Sequence, residues 1–281
     1  MPLNLIYITN DPAVARIAEI NGVQRIMVDL ETLGKETRQG NMNTVKSHHT
    51  VADVKRIAKE LTSAKLLVRI NPWYAGSQEE IKAALAAGAD SIMLPMWRRP
   101  EEVDAFLKAV NRNAETTLLL ETKEAVECLD TVLKHPLLDN IHIGLNDLHL
   151  SYGMTFLFEP FVNGVVESVC RKCAEKGIPC GVGGIARLGN GLVPAEHIIT
   201  EHYRLGSSAA ILSRAFCDTE KVGDISSVSE IFRVELQRIR DFERSLSAMT
   251  EAEYEQNRQT LVAAVQNAVA VIRSRRMAEQ T

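Results

Sequence analysis

Leu66-Leu67-Val68-Arg69-Ile70-Asn71, then Gln78 to Ala87, then Ser91-Ile92-Met93-Leu94-Pro95-Met96: this passage decides the architecture of the chain. The outer pieces are short continuous apolar runs, and the piece between carries apolar residues at helical spacing. A run that is apolar at every position is buried on both faces, which implies a parallel sheet with the intervening helix as its crossover. The unit repeats in both directions. Further runs lie at Leu3 to Thr9, Arg25 to Glu31, Thr116 to Glu121, Asn140 to Asp147, Pro179 to Ile185 and Ala209 to Phe216. Helical stretches lie at Pro12 to Ile20, Val51 to Leu61, Glu101 to Val110, Lys123 to Leu133, Phe161 to Lys176 and Ala195 to Tyr203. Eight such units close into an α/β (β/α)8 TIM barrel. The alternative is an open doubly wound sheet, but no Gly-x-Gly-x-x-Gly follows the first run, so a dinucleotide site there has no support.

Two long polar helices with apolar stripes follow, from Ile225 to about Ser247 and from Thr250 to about Arg276, the second opened by a capping box at Thr250-Glu251-Ala252-Glu253. The expected organisation is a barrel over residues 1–223 and a helical extension over 224–281, its stripes packing across the barrel or on a second copy.

The 281 residues carry 36 acidic and 32 basic side chains, a net charge of -4, with 46% hydrophobic and 5% aromatic residues. Charges of both signs are interspersed, so neither nucleic acid nor an anionic membrane is an expected partner. No long apolar window and no leader-like start are found, which reads as a cytoplasmic protein. Five cysteines, an odd number, argue against a disulfide framework, and Cys170-Arg171-Lys172-Cys173 without a second ligand pair is a weak metal or redox signal.

Barrel chemistry sits where the strands end. The polar residues there are Asp29 and Glu31, Arg69 and Asn71, Glu121, and Asn146 and Asp147. Glu121 and Asp147 each follow a buried strand, one βα unit apart. They can converge on one hard cation with room for a chelating substrate, or each can simply cap the next helix. Arg69 needs a partner wherever it is buried, either Asp29 or Glu31 on the neighbouring strand or an anionic substrate held by its paired donors.

Five segments in this order, Asp29-Leu30-Glu31, Val68-Arg69-Ile70-Asn71, Gly88 to Met96, Leu120-Glu121-Thr122-Lys123-Glu124-Ala125 and Ile143-Gly144-Leu145-Asn146-Asp147-Leu148, resemble the HpcH/HpaI aldolase and citrate lyase β-subunit family over roughly residues 20 to 216. The resemblance implies Mg2+ or Mn2+ held by Glu121 and Asp147, with Arg69 near a keto or enolate oxygen. It also implies a substrate pocket drawing on Asp29, Glu31, Pro95, Met96, Gly144 and Asn146. The implied activity is that of a metal-dependent lyase or class II aldolase acting on a 2-keto acid and an aldehyde. Family members commonly form trimers or hexamers through the C-terminal helix, so a homo-oligomer is expected.

One position departs from the family. Thr32 stands where aldolase members place a histidine and citrate-lyase-like members an acid, and threonine serves neither role well. His48 or His49, at the end of an unusually long loop from Thr32, are the candidates to supply acid–base catalysis, the alternative being two solvated histidines before a helix. Lys35 and Arg38 in that loop favour a second reading, a CoA-ester lyase or thioesterase. The loss at Thr32 favours a third, a non-catalytic barrel serving as a binding or scaffold protein. The glycine-rich stretch Gly181 to Gly191 is either an anion site helped by Arg187 or a set of tight turns.

Overall fold

The computed structural model describes residues 1–34 and 49–278. Its eight parallel strands are β1 (Asn4–Ile8), β2 (Arg25–Asp29), β3 (Lys65–Arg69), β4 (Ser91–Leu94), β5 (Glu115–Leu120), β6 (Asn140–Ile143), β7 (Cys180–Ile185) and β8 (Ala209–Leu212). They pair in sequence order and β8 returns to β1, which closes the barrel and leaves no sheet edge. Among the described residues the helices are α1 (Pro12–Ile20), α2 (Val51–Glu60), α3 (Ser77–Ala86), α4 (Pro100–Val110), α5 (Lys123–Val132), α6 (Leu145–Ser151), α7 (Glu159–Val162), α8 (Val165–Glu175), α9 (Ala195–Arg204), α10 (Thr219–Val222), α11 (Ile225–Leu246) and α12 (Glu251–Ala278).

Successive strand residues face opposite sides, so each strand supplies two buried layers. Ile6, Met27, Leu67, Met93 and Leu119 fill the barrel interior. The alternate positions, such as Val28, Val68, Ile92, Leu118 and Leu120, pack outward under the helices. Parity then places the functional residues. Asp29, Arg69 and Glu121 each lie two positions beyond an interior residue, so all three rise from the inner wall at the C-terminal mouth.

Local signals explain most helix starts. Asp11 caps α1 through the Ala13 and Val14 amides, Thr50 forms a capping box with Asp53 at α2, and Thr122 caps α5 at Ala125. Two differences from the sequence reading are instructive. The stretch from Phe161 to Lys176 is broken at Gly164, whose φ of +89° favours glycine, and divides into α7 and α8. Asn146 and Asp147 do not end a strand but occupy the first turn of α6, because Gly144 follows β6 and the chain turns helical at once.

The tail covers the molecule it belongs to. In α11, Val228, Phe232, Leu236, Ile239 and Leu246 are buried, with Phe232 edge-on to Tyr7 and Phe216. Arg240 and Glu243 bind the Leu3 backbone, through the carbonyl at 2.9 Å and the amide at 2.8 Å, and so fasten α11 at the N-terminal end of the barrel. Helix α12 opens with the expected capping box at Thr250 and lies on α7 and α9; Asn257 meets His197 of α9 at 2.7 Å, and Arg258 meets Glu167 of α8 at 2.9 Å. All five cysteines are free; Cys170, Cys173 and Cys180 are buried together between α8 and β7. Among the described residues no helix is long and apolar enough to cross a membrane.

Candidate active site

The site begins with a pair set by strand register. Asp29 and Arg69 are direct partners across β2 and β3. The guanidinium lies side-on to the carboxylate, Nε to Oδ1 and Nη2 to Oδ2 both at 2.8 Å, and Glu31 Oε2 stands 3.4 Å from Nε. Burial opposes the charge on Arg69, but Asp29 and Glu31 outweigh it and push its pKa above the usual arginine value. Of the two partners the sequence left open, the acidic neighbours are thus engaged. Nη1 makes no hydrogen bond to any described residue.

Glu121 is almost fully buried, at 3% exposure. The Met96 amide donates to its Oε1 at 3.0 Å. Met96 has φ +54°, a left-handed conformation costly for a side chain, and it turns that N–H toward the carboxylate. The amide is therefore spent on Glu121, so the candidate substrate-binding backbone at Pro95 and Met96 begins as support for a carboxylate. Burial, the Asp147 carboxylate and the Glu31 carboxylate push the pKa of Glu121 well above the usual range, against Arg69 and the Met96 amide.

Gly144 completes the cradle. A Cβ there would stand 2.7 Å from Glu121 Oε2, so only glycine leaves the carboxylate its place. Asp147 is half-buried in the first turn of α6, while Asn146 is exposed. The donor set is all oxygen, several carboxylates surround one arginine, and a buried Glu121 resists carrying charge without a cation beside it. These features fit a hard divalent ion such as Mg2+ or Mn2+. Among the described residues no group of His, Cys, Asp and Glu is drawn together tightly enough to form a complete coordination shell.

The acid–base candidates divide. His48, Lys35 and Arg38 lie outside the described residues. His49 is half-buried at the end of β2, where its Nδ1 accepts the Asp29 amide at 3.0 Å, placing its ring beside the Asp29–Arg69 pair. Thr32 gives both its amide and its hydroxyl to Asn71 Oδ1, at 2.8 and 3.3 Å, and the Leu33 amide joins them at 2.9 Å. Asn71 is held in turn by Glu80 at 2.8 Å. This Asn71–Glu80 clamp was not legible in the sequence, where the only sign was a polar residue ending a strand. His149 pairs with the Leu145 carbonyl of its own helix at 3.0 Å. His142 faces the barrel interior with its pKa lowered to about 4 by burial, despite a hydrogen bond to the Gly183 backbone. The glycines of β7 make room: a Cβ at Gly181 would meet the His142 ring at 2.4 Å, and one at Gly183 the Leu145 side chain at 2.4 Å.

A closed parallel barrel whose C-terminal mouth gathers buried carboxylates around one paired arginine has the form of a barrel lyase site. The chain belongs to the HpcH/HpaI aldolase/citrate lyase family, whose model matches residues 5–170. Solved structures of similar fold include the HpcH/HpaI aldolase from Desulfitobacterium hafniense DCB-2, at TM-score 0.60 and 16% identity over 82% of this chain and 93% of that one. A HpcH/HpaI aldolase/citrate lyase family protein from Burkholderia cenocepacia J2315 gives TM-score 0.63 and 14% identity over 81% and 94%. The citrate synthase SbnG gives 0.59 and 14% over 82% and 94%. No curated protein sequence matches the chain.

Proposed function

We propose that this protein is a divalent-metal-dependent carbon–carbon lyase or aldolase that handles a 2-keto acid through a pyruvate-type enolate. The observation that carries the reading is the Glu121 carboxylate, buried, held by the Met96 amide, given room by Gly144 and facing Asp147 and Glu31. Glu121 and Asp147 would hold the ion. When bound, such an ion supplies Lewis-acid polarisation of the keto oxygen. Arg69 directs its unspent Nη1 at negative charge developing on the substrate, and its bond to Asp29 keeps the fork from turning during the reaction. His49 accepts the Asp29 amide through Nδ1, which in the neutral ring puts its proton on Nε2 as a hydrogen-bond donor. The fixed corner at Thr32, Asn71 and Glu80 holds Glu31 against Arg69.

The test is proton NMR of pyruvate in deuterated buffer with Mg2+. Loss of the methyl signal that depends on metal, stops with chelator and is absent in Glu121→Gln supports the reading. A protein that binds the metal yet leaves the methyl signal intact overturns it for pyruvate, and acyl-CoA esters become the next substrates. A homo-oligomer, trimer or hexamer, belongs to the same proposal: α12 buries only Leu261, Val265 and Ala268 on its own barrel and leaves Val271 and Met277 exposed. A monomer in sedimentation at micromolar concentration would refute that part.

A further inference from the structure

Strand β7 carries an extra residue where it pairs with β8. The two strands are in register at Gly181 and Ala209, but the next pairs are Gly184 with Ile211 and Ile185 with Leu212. Gly183 turns the resulting bulge with φ +22°. A bulge takes backbone groups out of the ladder, and inside an apolar barrel a carbonyl without a donor is costly.

His142 supplies the donor. It faces the barrel interior at 2% exposure, opposite Gly181 in register, and its ring bonds to the Gly183 backbone. That bond favours the protonated ring, so the ring donates and the Gly183 carbonyl accepts. A Cβ at Gly181 would run into Nδ1, which makes this the ring edge turned toward β7. Burial keeps His142 neutral at neutral pH, with a single ring proton. Nε2 meets no partner among the described residues, and Nδ1 is left to carry that proton.

The bulge bears on the candidate site through one side chain. A Cβ at Gly183 would meet Leu145, whose Cγ lies 2.7 Å from that position, so the Leu145 side chain rests directly on the bulge. Leu145 is buried at the start of α6, and the helix lies against β7. Asp147 stands two residues further in the same first turn, where its charge acts on Glu121. The angle at which α6 leaves β6 therefore depends on the place of Gly183, and His142 holds Gly183 by its carbonyl. We infer that His142 is a positioning residue: by holding the β7 bulge against Leu145 it fixes the first turn of α6, and with it Asp147. The inference rests on the proposed function for the ion that Asp147 would hold, but not for the chain of contacts from His142 to α6.

The first test needs no metal. Amide hydrogen exchange in EDTA is compared for wild type, for His142→Phe, which keeps a ring without a donor, and for His142→Asn, whose amide nitrogen stands near the Nδ1 position. Each is shown to be folded by circular dichroism, and His142→Gln, which reaches toward the Nε2 position instead, replaces Phe if that variant does not fold. Peptides covering β7 and α6 are expected to exchange about tenfold or more faster in His142→Phe, with β2 and β3 unchanged and most of the protection regained in His142→Asn. Exchange that rises evenly over the barrel or not at all, or an Asn variant no better than Phe, overturns the inference. Nitrogen NMR of histidine-labelled wild type is expected to find the His142 proton on Nδ1, and a proton on Nε2 overturns it as well. The second test is Mn2+ titration followed by electron paramagnetic resonance. His142→Phe is expected to lose about tenfold or more in affinity and His142→Asn to regain it, whereas equal binding by all three proteins refutes the link to Asp147. A wild type that binds no Mn2+ removes the proposed metal function instead, and exchange in EDTA still decides whether His142 holds α6.

Discussion

Gly144→Ala puts the cradle under the sharpest stress. The backbone at this position, φ -88° and ψ 93°, is open to alanine, so the substitution acts only through the atom it adds. That Cβ would lie 2.7 Å from Glu121 Oε2, 3.0 Å from Glu121 Cβ and 3.2 Å from Leu119 Cδ1, against ordinary contact beyond 3.4 Å. Leu119 is packed in the barrel interior and cannot retreat, so the carboxylate must move by roughly 0.7 Å to restore ordinary contact. Its Met96 hydrogen bond lengthens with it. A Mg2+ or Mn2+ ligand displaced this far no longer meets a near-octahedral ion, and the expected loss of affinity is about 10- to 100-fold, or roughly 1.4–2.7 kcal/mol. Overpacking should also destabilise the metal-free barrel by about 1–3 kcal/mol. The assays are Mn2+ titration followed by electron paramagnetic resonance and urea unfolding in EDTA. A variant that binds Mn2+ within about twofold of the wild type would refute the assignment of Glu121 as a ligand placed by Gly144.

Further outcomes follow from other contacts. Arg69→Lys keeps the charge but loses the two parallel bonds to Asp29, so calorimetry should show a loss of about 1–3 kcal/mol and pyruvate exchange should fall about 100-fold or more; wild-type exchange rates would refute the role given to the planar fork. Glu19 has the opposite balance to Glu121: burial alone would raise its pKa, but the Ala64, Ser63 and Thr62 amides hold it down to about 2. Its unfolded value is higher, so its contribution is fully present above about pH 4.5 and is lost as the pH falls toward 2. Glu19→Gln should therefore cost roughly 3 kcal/mol in urea unfolding at pH 7 and almost nothing near pH 2, and a cost independent of pH would refute the linkage.

Much of this protein was written in local pattern. Continuous apolar runs alternating with helical periodicity specify β1 to β8 and most helices, because strand burial and helix amphipathicity act over a few residues at a time. The strand ends also marked Asp29, Arg69 and Glu121 as candidates at the barrel mouth, though the face each would take was left open, and the Thr250 capping box was plain from four residues. Pairings across the barrel were not legible, since register and long-range contacts set them. Only the folded chain shows that Asp29 takes the side of Arg69, that the Met96 amide is committed to Glu121, and that Asn71 and Glu80 clamp the corner at Thr32. The glycines of β7 had two readings by sequence. Gly181 and Gly183 prove to make room for His142 and Leu145, whereas Arg187, beside them in sequence, donates to the Phe216 carbonyl. The tail shows the same division. Its helices follow from spacing, but the face that is buried depends on Tyr7, Leu3 and Phe216, residues far away in the chain. Sequence determines which elements form because those forces are local, and the tertiary structure decides which charges meet because each partner comes from a different strand.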